Sequence, residues 1–153
     1  MSFLQFVRSR IEPSTQARHC SKQGCKVPLK DVPQPRLVLD LDRTGSPLGK
    51  SETRCDYLLF GESDGQTGWV VALELKRGKV SAEVANQLQA GAKIMETLMP
   101  REANVDFTPV VAGRGFHSNV KKTLAKRRIR FQQRQTAIVL ISCGKPLANA
   151  VSF

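Results

Sequence analysis

The chain has 153 residues, enough for one domain with a sizeable core, and 41% hydrophobic against 24% charged residues is a globular rather than a disordered composition. No apolar run approaches the roughly 20 residues of a membrane span. An excess of 24 basic over 13 acidic residues gives a net charge of +11. A polyanion is therefore the expected partner, with nucleic acid first and an anionic membrane surface second.

The first predicted region covers residues 1–35. A short helix is predicted over residues 2–11, and the Ser-, Gln-, Lys- and Pro-rich stretch after it has no periodicity, so we expect irregular structure there. We treat 1–153 as a single domain with this irregular N-terminal extension. Arg8 and Arg10 follow the first apolar patch, which is the wrong charge order for a signal peptide, so we expect a cytoplasmic location.

Three apolar runs separated by turn residues then predict three successive strands that form a meander. These runs are Arg36–Asp42, Cys55–Glu62 and Gly68–Lys76. Ser81 is a typical N-cap residue, and apolar residues at spacings of four and three after it predict an amphipathic helix that ends at Pro100.

The remaining chain predicts a strand, a second helix and a final buried strand, at Phe107–Ala112, His117–Arg130 and Thr136–Ser142. The resulting order is three strands, helix, strand, helix, strand. This order is typical of an α/β domain in which helices pack on a mixed central sheet.

Charged residues inside the apolar strands are the most informative feature of the sequence. The triplet Glu74, Leu75, Lys76 is weak evidence alone, because an acidic residue two positions before a lysine is expected by chance in this composition. It closes the most apolar strand, however, where a charge must be paired or functional. Side chains alternate along a strand, so Glu74 and Lys76 point to the same face. Asp56 opens the preceding strand, and in a meander it can lie close to Glu74.

Two interpretations of these residues are open. Two carboxylates beside a lysine can hold a hard divalent cation, Mg²⁺ or Mn²⁺, and leave coordination positions for water and a phosphate. The lysine can then position the attacking water or neutralise charge in the transition state. Alternatively, Lys76 forms a buried salt bridge with Asp56 or Glu74, and the three residues are only structural.

The arrangement resembles the PD-(D/E)XK nuclease superfamily, in which an Asp on one strand is followed by Glu-x-Lys on the next, an amphipathic helix and a further strand. The resemblance covers roughly residues 36–112. It implies a restriction-endonuclease-like fold with a mixed central sheet flanked by helices. It also implies metal ligands at Asp56, Glu74 and the carbonyl of Leu75, and a catalytic Lys76 that acts on the attacking water.

Gln87 adds to the resemblance, because several branches of the superfamily carry a glutamine on this helix. It stands beside Leu88, at the margin of the apolar face, and is a further candidate catalytic residue. Glu52, four positions before Asp56, could supplement the metal site, although an exposed loop position is the expected one.

The last third of the chain carries nine basic residues and, after Asp106, no acidic residue. The predicted second helix holds six of these cations around an apolar line of Val120 and Leu124. With no carboxylate available for i,i+4 pairs, the cations repel one another unless an anion is bound, which favours phosphate binding over a merely solvated surface. The candidate nucleic-acid-binding residues are Arg114, Lys121, Lys122, Lys126, Arg127, Arg128 and Arg130.

The four cysteines are too few for a disulfide scaffold in a chain of this length, so we expect reduced thiols. A structural Zn²⁺ site is the alternative. Cys20 and Cys25 are separated by four residues, His19 is adjacent to them, and Cys55 precedes a strand, so these four side chains could close a tetrahedral site.

These observations predict a metal-dependent nuclease that hydrolyses phosphodiester bonds of DNA or RNA, with DNA placed before RNA and no membrane partner. One alternative is a catalytically inactive nucleic-acid-binding module on the same fold. Another is a small RNA-binding or interaction protein in which Glu74 and Lys76 form only a salt bridge. A chain of 153 residues leaves little room for a separate recognition domain, so we also expect a homodimer or a recruiting partner protein.

Overall fold

The part of the chain described by this computed structural model, residues 1–43, 46 and 53–153, contains three α-helices and nine strands. In chain order they are α1 Phe3–Ser9, β1 Cys20–Lys22, β2 Cys25–Val27, β3 Arg36–Asp40, β4 Tyr57–Glu62, β5 Thr67–Lys76, α2 Val84–Leu98, β6 Asn104–Gly113, α3 Ser118–Lys126, β7 Arg128–Phe131, β8 Arg134–Ala137 and β9 Val139–Ser142. Short 3-10 helices lie at Pro13–Thr15 and Leu147–Asn149.

The central sheet has five strands in the order β3-β4-β5-β6-β9. The first three pair antiparallel, as the predicted meander requires, and β5, β6 and β9 pair parallel. β4 and β5 are buried along nearly their whole length, because both faces of the sheet are covered. The protein is therefore an α/β structure with a mixed central sheet.

The alternation of side chains divides the core between the two faces of the sheet. Leu58, Phe60 and Val70 belong to the cluster that packs under α1 and α2. Leu59 and Val71 belong to the opposite cluster, which the β1–β2 hairpin and the C-terminal 3-10 helix cover. Glu74 has the same parity as Val70 in β5, so it lies on the face of α2, and Asp56, directly before β4, lies against it.

Helix α2 is the crossover between the parallel strands β5 and β6. Residues 77–83 join it to the end of β5, and residues 99–103 join it to the start of β6. It also packs closely on the segment before β4, because Gly91 faces the Cys55 sulfur with no room for a Cβ atom. This close approach fixes the helix directly beside Asp56.

The N-terminal 35 residues are more regular than the sequence predicts. α1 falls within the predicted residues 2–11, and β1 and β2 form a hairpin across a two-residue turn at Gln23 and Gly24, both with positive φ. Each of these strands has only three residues. Strands this short leave no detectable alternation in the sequence, which is why the hairpin was not predicted.

The second predicted helix is too long. α3 ends at Lys126, and Arg128 and Arg130 lie instead on β7, where Ile129 and Phe131 are buried in strict alternation. The final predicted strand, Thr136–Ser142, is divided between β8 and β9, and β9 is half-buried because it forms an edge of the sheet.

The prediction of four reduced cysteines is wrong for Cys25 and Cys143, which form a disulfide between β2 and the end of β9. The proposed zinc ligands also do not come together. Cys25 is bonded to Cys143, while Cys20 and Cys55 lie in the clusters on opposite faces of the sheet, and His19 is exposed. Burial raises the pKa of both free thiols, that of Cys20 to about 12, which disfavours the thiolates that zinc requires.

Within the described ranges, no helix combines the length and the apolar character needed to cross a bilayer.

The Gly91 contact predicts the outcome of a Gly91→Ala substitution. Alanine at a helix interior usually gains about 1 kcal/mol over glycine, but overlap with the Cys55 sulfur should cost about 1–3 kcal/mol, so we expect a net loss of stability. The double variant Cys55→Ala/Gly91→Ala should be more stable than Gly91→Ala alone, because the clashing atom is gone. Urea denaturation measures both. A Gly91→Ala protein as stable as the parent would contradict the close packing.

Candidate active site

Strand register places the two predicted carboxylates opposite one another. The antiparallel β4–β5 ladder ends at the pair of Tyr57 and Leu73, and the next residues of the two segments, Asp56 and Glu74, bring their side chains into contact. The Asp56 backbone carbonyl also accepts a hydrogen bond from the Leu41 N–H at 3.1 Å, which fixes its position against β3. The three strands of the meander therefore converge on this pair.

Lys76 completes the group. Its Nζ lies 3.2 Å from Glu74 Oε2, and its side chain is 35% exposed while that of Glu74 is only 2% exposed. The structure thus brings Asp56, Glu74 and Lys76 together at the edge of the sheet where β5 ends. We call this edge, defined by these three residues, the carboxylate edge.

The ion pair does not satisfy the whole Glu74 carboxylate. Its second oxygen, Oε1, is buried without a hydrogen-bond partner, the one such side-chain atom in the described part of the chain. Burial, followed by repulsion from Asp56, raises the pKa of Glu74 to about 8, and Lys76 only partly opposes this rise. Burial also raises the pKa of Asp56. Two acidic groups therefore lie close together at the carboxylate edge, and without a bound cation Glu74 keeps its proton up to about pH 8.

Asp56 and the backbone of Leu75 place oxygen atoms beside Glu74 that could bind a cation. The Leu75 N–H, which lies beyond the last paired residue of β4, donates to Asp56 Oδ2 at 2.8 Å. In an extended strand the C=O of a residue points to the same side as its N–H, so the Leu75 carbonyl faces the same space. Asp56, Glu74 and this carbonyl are all oxygen donors, the type that Mg²⁺ and Mn²⁺ prefer.

The donor set is small. Among residues 1–43, 46 and 53–153, no group of three or more His, Cys, Asp or Glu side chains gathers in a way that could hold a metal. Glu52, the further carboxylate suggested by the sequence, lies outside the described residues. A cation at this site would thus depend on two side-chain carboxylates, with the remaining positions left to the backbone, water or a phosphate.

Gln87 lies on α2, half-buried beside Leu88. It is on the helix that covers the carboxylates, but in the described structure its side chain makes no hydrogen bond to Asp56, Glu74 or Lys76. Its role as a catalytic residue stays a prediction.

The predicted nucleic-acid-binding residues are all exposed. Arg114 follows β6 and donates to the Gly24 carbonyl at 3.3 Å, while Lys121, Lys122 and Lys126 lie on α3. Arg127 donates to Asn86 Oδ1 at 3.2 Å, which ties the end of α3 to the first turn of α2. In the part of the chain that is described, none of them forms an ion pair with a carboxylate.

Sequence reasoning missed a second charged cluster beside the site, at the end of β3. Lys22 Nζ lies 2.9 Å from Asp40 Oδ1 and 3.3 Å from Asp42 Oδ2. Asp40 is buried, but it faces the β1–β2 hairpin and is paired with Lys22 and Arg43, so it serves the fold. The Asp-Leu-Asp run at 40–42 is visible in the sequence, but its partner Lys22 lies in the hairpin that was not predicted.

Comparisons with family models, curated proteins and solved structures found no match to this chain.

The raised pKa of Glu74 predicts how stability depends on pH. Between its ordinary value of 4.5 and its folded value of about 8, the folded protein holds a proton that the unfolded chain has lost. The contribution of Glu74 to stability is therefore fully present below about pH 4.5 and is lost as the pH rises through about 8. Glu74→Gln should flatten this part of the pH profile, measured by urea denaturation without divalent ions.

Glu12→Gln is the matched control, because Glu12 is an exposed carboxylate of the N-terminal region. Its pH profile should follow that of the parent. Equal slopes for the parent and Glu74→Gln would show that Glu74 ionises normally in the folded protein.

Proposed function

We propose that this protein is a metal-dependent nuclease of restriction-endonuclease-like fold, with Asp56 and Glu74 as ligands for Mg²⁺ or Mn²⁺. The observation that carries the proposal is the buried Glu74 side chain, which lies against Asp56 and whose Oε1 atom, when the carboxylate is ionised, has no hydrogen-bond donor. An unsatisfied buried oxygen is costly, and such atoms in a folded protein call for an explanation. A divalent cation between the two carboxylates would remove both the repulsion and the missing contact.

The salt-bridge interpretation accounts for less of the site. It explains the 3.2 Å contact between Lys76 and Glu74. It does not explain why Asp56 lies against the same carboxyl group, since Lys76 forms its ion pair with Glu74. A purely structural pair would be more stable without the second carboxylate.

Asp56 and Glu74 would bind the metal, and Lys76 would act on the water and the phosphate. When bound, Mg²⁺ or Mn²⁺ supplies Lewis-acid polarisation of a phosphoryl oxygen and lowers the pKa of a water molecule. The Leu75 N–H orients Asp56, and the pairing of β5 with β6, in which Glu74 lies opposite Val111, holds Glu74. Lys76 has a partly exposed ammonium group, which can orient the attacking water and stabilise the charge that develops on the phosphate.

The surface charge supports a nucleic acid as the substrate. The cations of α3 and the residues after it have no acidic partners within the described structure, and Arg127 reaches the first turn of α2 on the helix-covered face that holds Glu74. Unpaired cations of this kind bind phosphates without reading the sequence of bases. The same surface favours the second candidate, a binding module without catalysis.

Cleavage of labelled single-stranded, duplex and branched DNA and RNA, with Mg²⁺ or EDTA, tests the proposal. Asp56→Asn and Glu74→Gln should each lower the rate by at least roughly 100-fold and weaken metal binding, because an amide is a poor ligand for a hard cation. Lys76→Ala should lower the rate and retain metal binding. Lys79→Ala, an exposed lysine three positions later, is the control and should cleave like the parent.

The proposal fails if the parent binds nucleic acid but cleaves none of these substrates with either metal. The protein would then be a binding module. It also fails if Asp56→Asn and Glu74→Gln cleave as fast as Lys79→Ala, since an activity independent of both carboxylates cannot come from this site.

A further inference from the structure

A second basic surface lies at the opposite end of α2 from the carboxylate edge. The end of α1, the last turns of α2, the connection 99–103 and the turn between β7 and β8 surround an open groove of about 1220 Å³. The groove extends along α2 from Gln89 towards the C-terminal end of the helix, whereas the connection 77–83 joins the start of the helix to the end of β5, beside Glu74 and Lys76. Neither carboxylate of the candidate active site lines it.

The groove carries an excess of positive charge. Its cationic side chains, all exposed, are Arg10, Lys93, Arg101, Arg130 and Arg134. Two carboxylates, Glu96 and Glu102, oppose them, and Glu96 already accepts a hydrogen bond from the Gln132 backbone N–H. None of the five cations is ion-paired within the described residues.

A continuous segment joins this groove to the cations near the active site. Arg127 donates to Asn86 in the first turn of α2. Arg130 exchanges two backbone hydrogen bonds of 2.9 Å with the side chain of Gln89, and Gln132 bonds Glu96 near the end of the helix. Residues 127–132 therefore follow α2 for about 15 Å, at 1.5 Å per residue from Asn86 to Glu96.

We infer that the groove binds the phosphodiester backbone of a nucleic acid that runs along α2 from the carboxylate edge. Arginine, lysine, glutamine and threonine line it, and these are the residue types that contact phosphates. A line of cations along α2 matches a polymer with regularly repeated negative charges. Neither carboxylate lines the groove, so the inference deepens the proposed function, on which the choice of a nucleic acid rests, and its binding can be measured apart from hydrolysis.

Other occupants fit the groove less well. It is larger than the roughly 300–1000 Å³ of a pocket that encloses a small ligand, and such pockets are mostly apolar. The large hydrophobic side chains exposed in the described structure, Met1 and Phe153, do not line it, so a bilayer would find no residue here to insert. An acidic protein segment remains as the competing partner that the experiment must separate from a nucleic acid.

The test is the binding of a fluorescent 20-base-pair DNA duplex, measured by anisotropy over a series of salt concentrations in EDTA. Arg101→Gln/Arg134→Gln removes two groove cations. Arg18→Gln/Lys30→Gln removes two exposed cations from the N-terminal region, outside the groove, and keeps the net charge equal. The groove variant should bind at least ~10-fold more weakly at about 0.1 M salt, and its salt slope should shrink by about two. The control should stay close to the parent in both quantities.

Lys93→Gln is a second groove variant on a different element, and it should shrink the slope by about one. The inference is overturned if the groove variants bind the duplex like the control, or if poly-glutamate competes for the groove better than the duplex does. The assay contains no divalent ion and measures no cleavage. A failed nuclease assay therefore leaves this result intact, and a failed binding result leaves the proposed hydrolysis untouched.

Discussion

The close approach of the Asp56 and Glu74 carboxyl groups is the constraint on which the candidate site depends. Two acidic groups repel one another, and burial makes that repulsion stronger. Here the end of the β4–β5 ladder and the Leu75 N–H hold Asp56 against Glu74, whose side chain is 2% exposed. A fold does not need this arrangement to be stable, and it leaves one carboxylate oxygen without a partner. The cost is explained if the pair exists to bind a cation.

Helix α2 links this site to the rest of the surface. Its first turn meets Arg127, its centre packs through Gly91 on the segment that carries Asp56, and its last turns border the basic groove. One helix thus covers the carboxylates and supports the cations that would hold a polyanion over them. The packing of Gly91 on Cys55 therefore sets the position of the helix that borders both the carboxylate edge and the basic groove.

The apolar runs of β3, β4 and β5 and the spacing of α2 were predictable, because long elements leave a clear period in the sequence. The order of the strands in a meander indicated that Asp56 can lie close to Glu74, while strand alternation placed Glu74 and Lys76 on one face. The β1–β2 hairpin and the end of α3 were not predictable, since three-residue strands have no detectable alternation and the basic residues after Lys126 are good helix formers. The Cys25–Cys143 disulfide joins residues 118 positions apart, and a contact over this separation cannot be predicted from the residues around either cysteine.

Anomalous diffraction from crystals soaked in Mn²⁺ tests the central claim most directly, because it locates the ion without any assay of activity. The account predicts one Mn²⁺ bound by Asp56, Glu74 and the Leu75 carbonyl, with the Lys76 ammonium moved away from its 3.2 Å contact with Glu74. A saturating soak that gives no anomalous peak between the two carboxylates, with Lys76 still paired to Glu74, would contradict it.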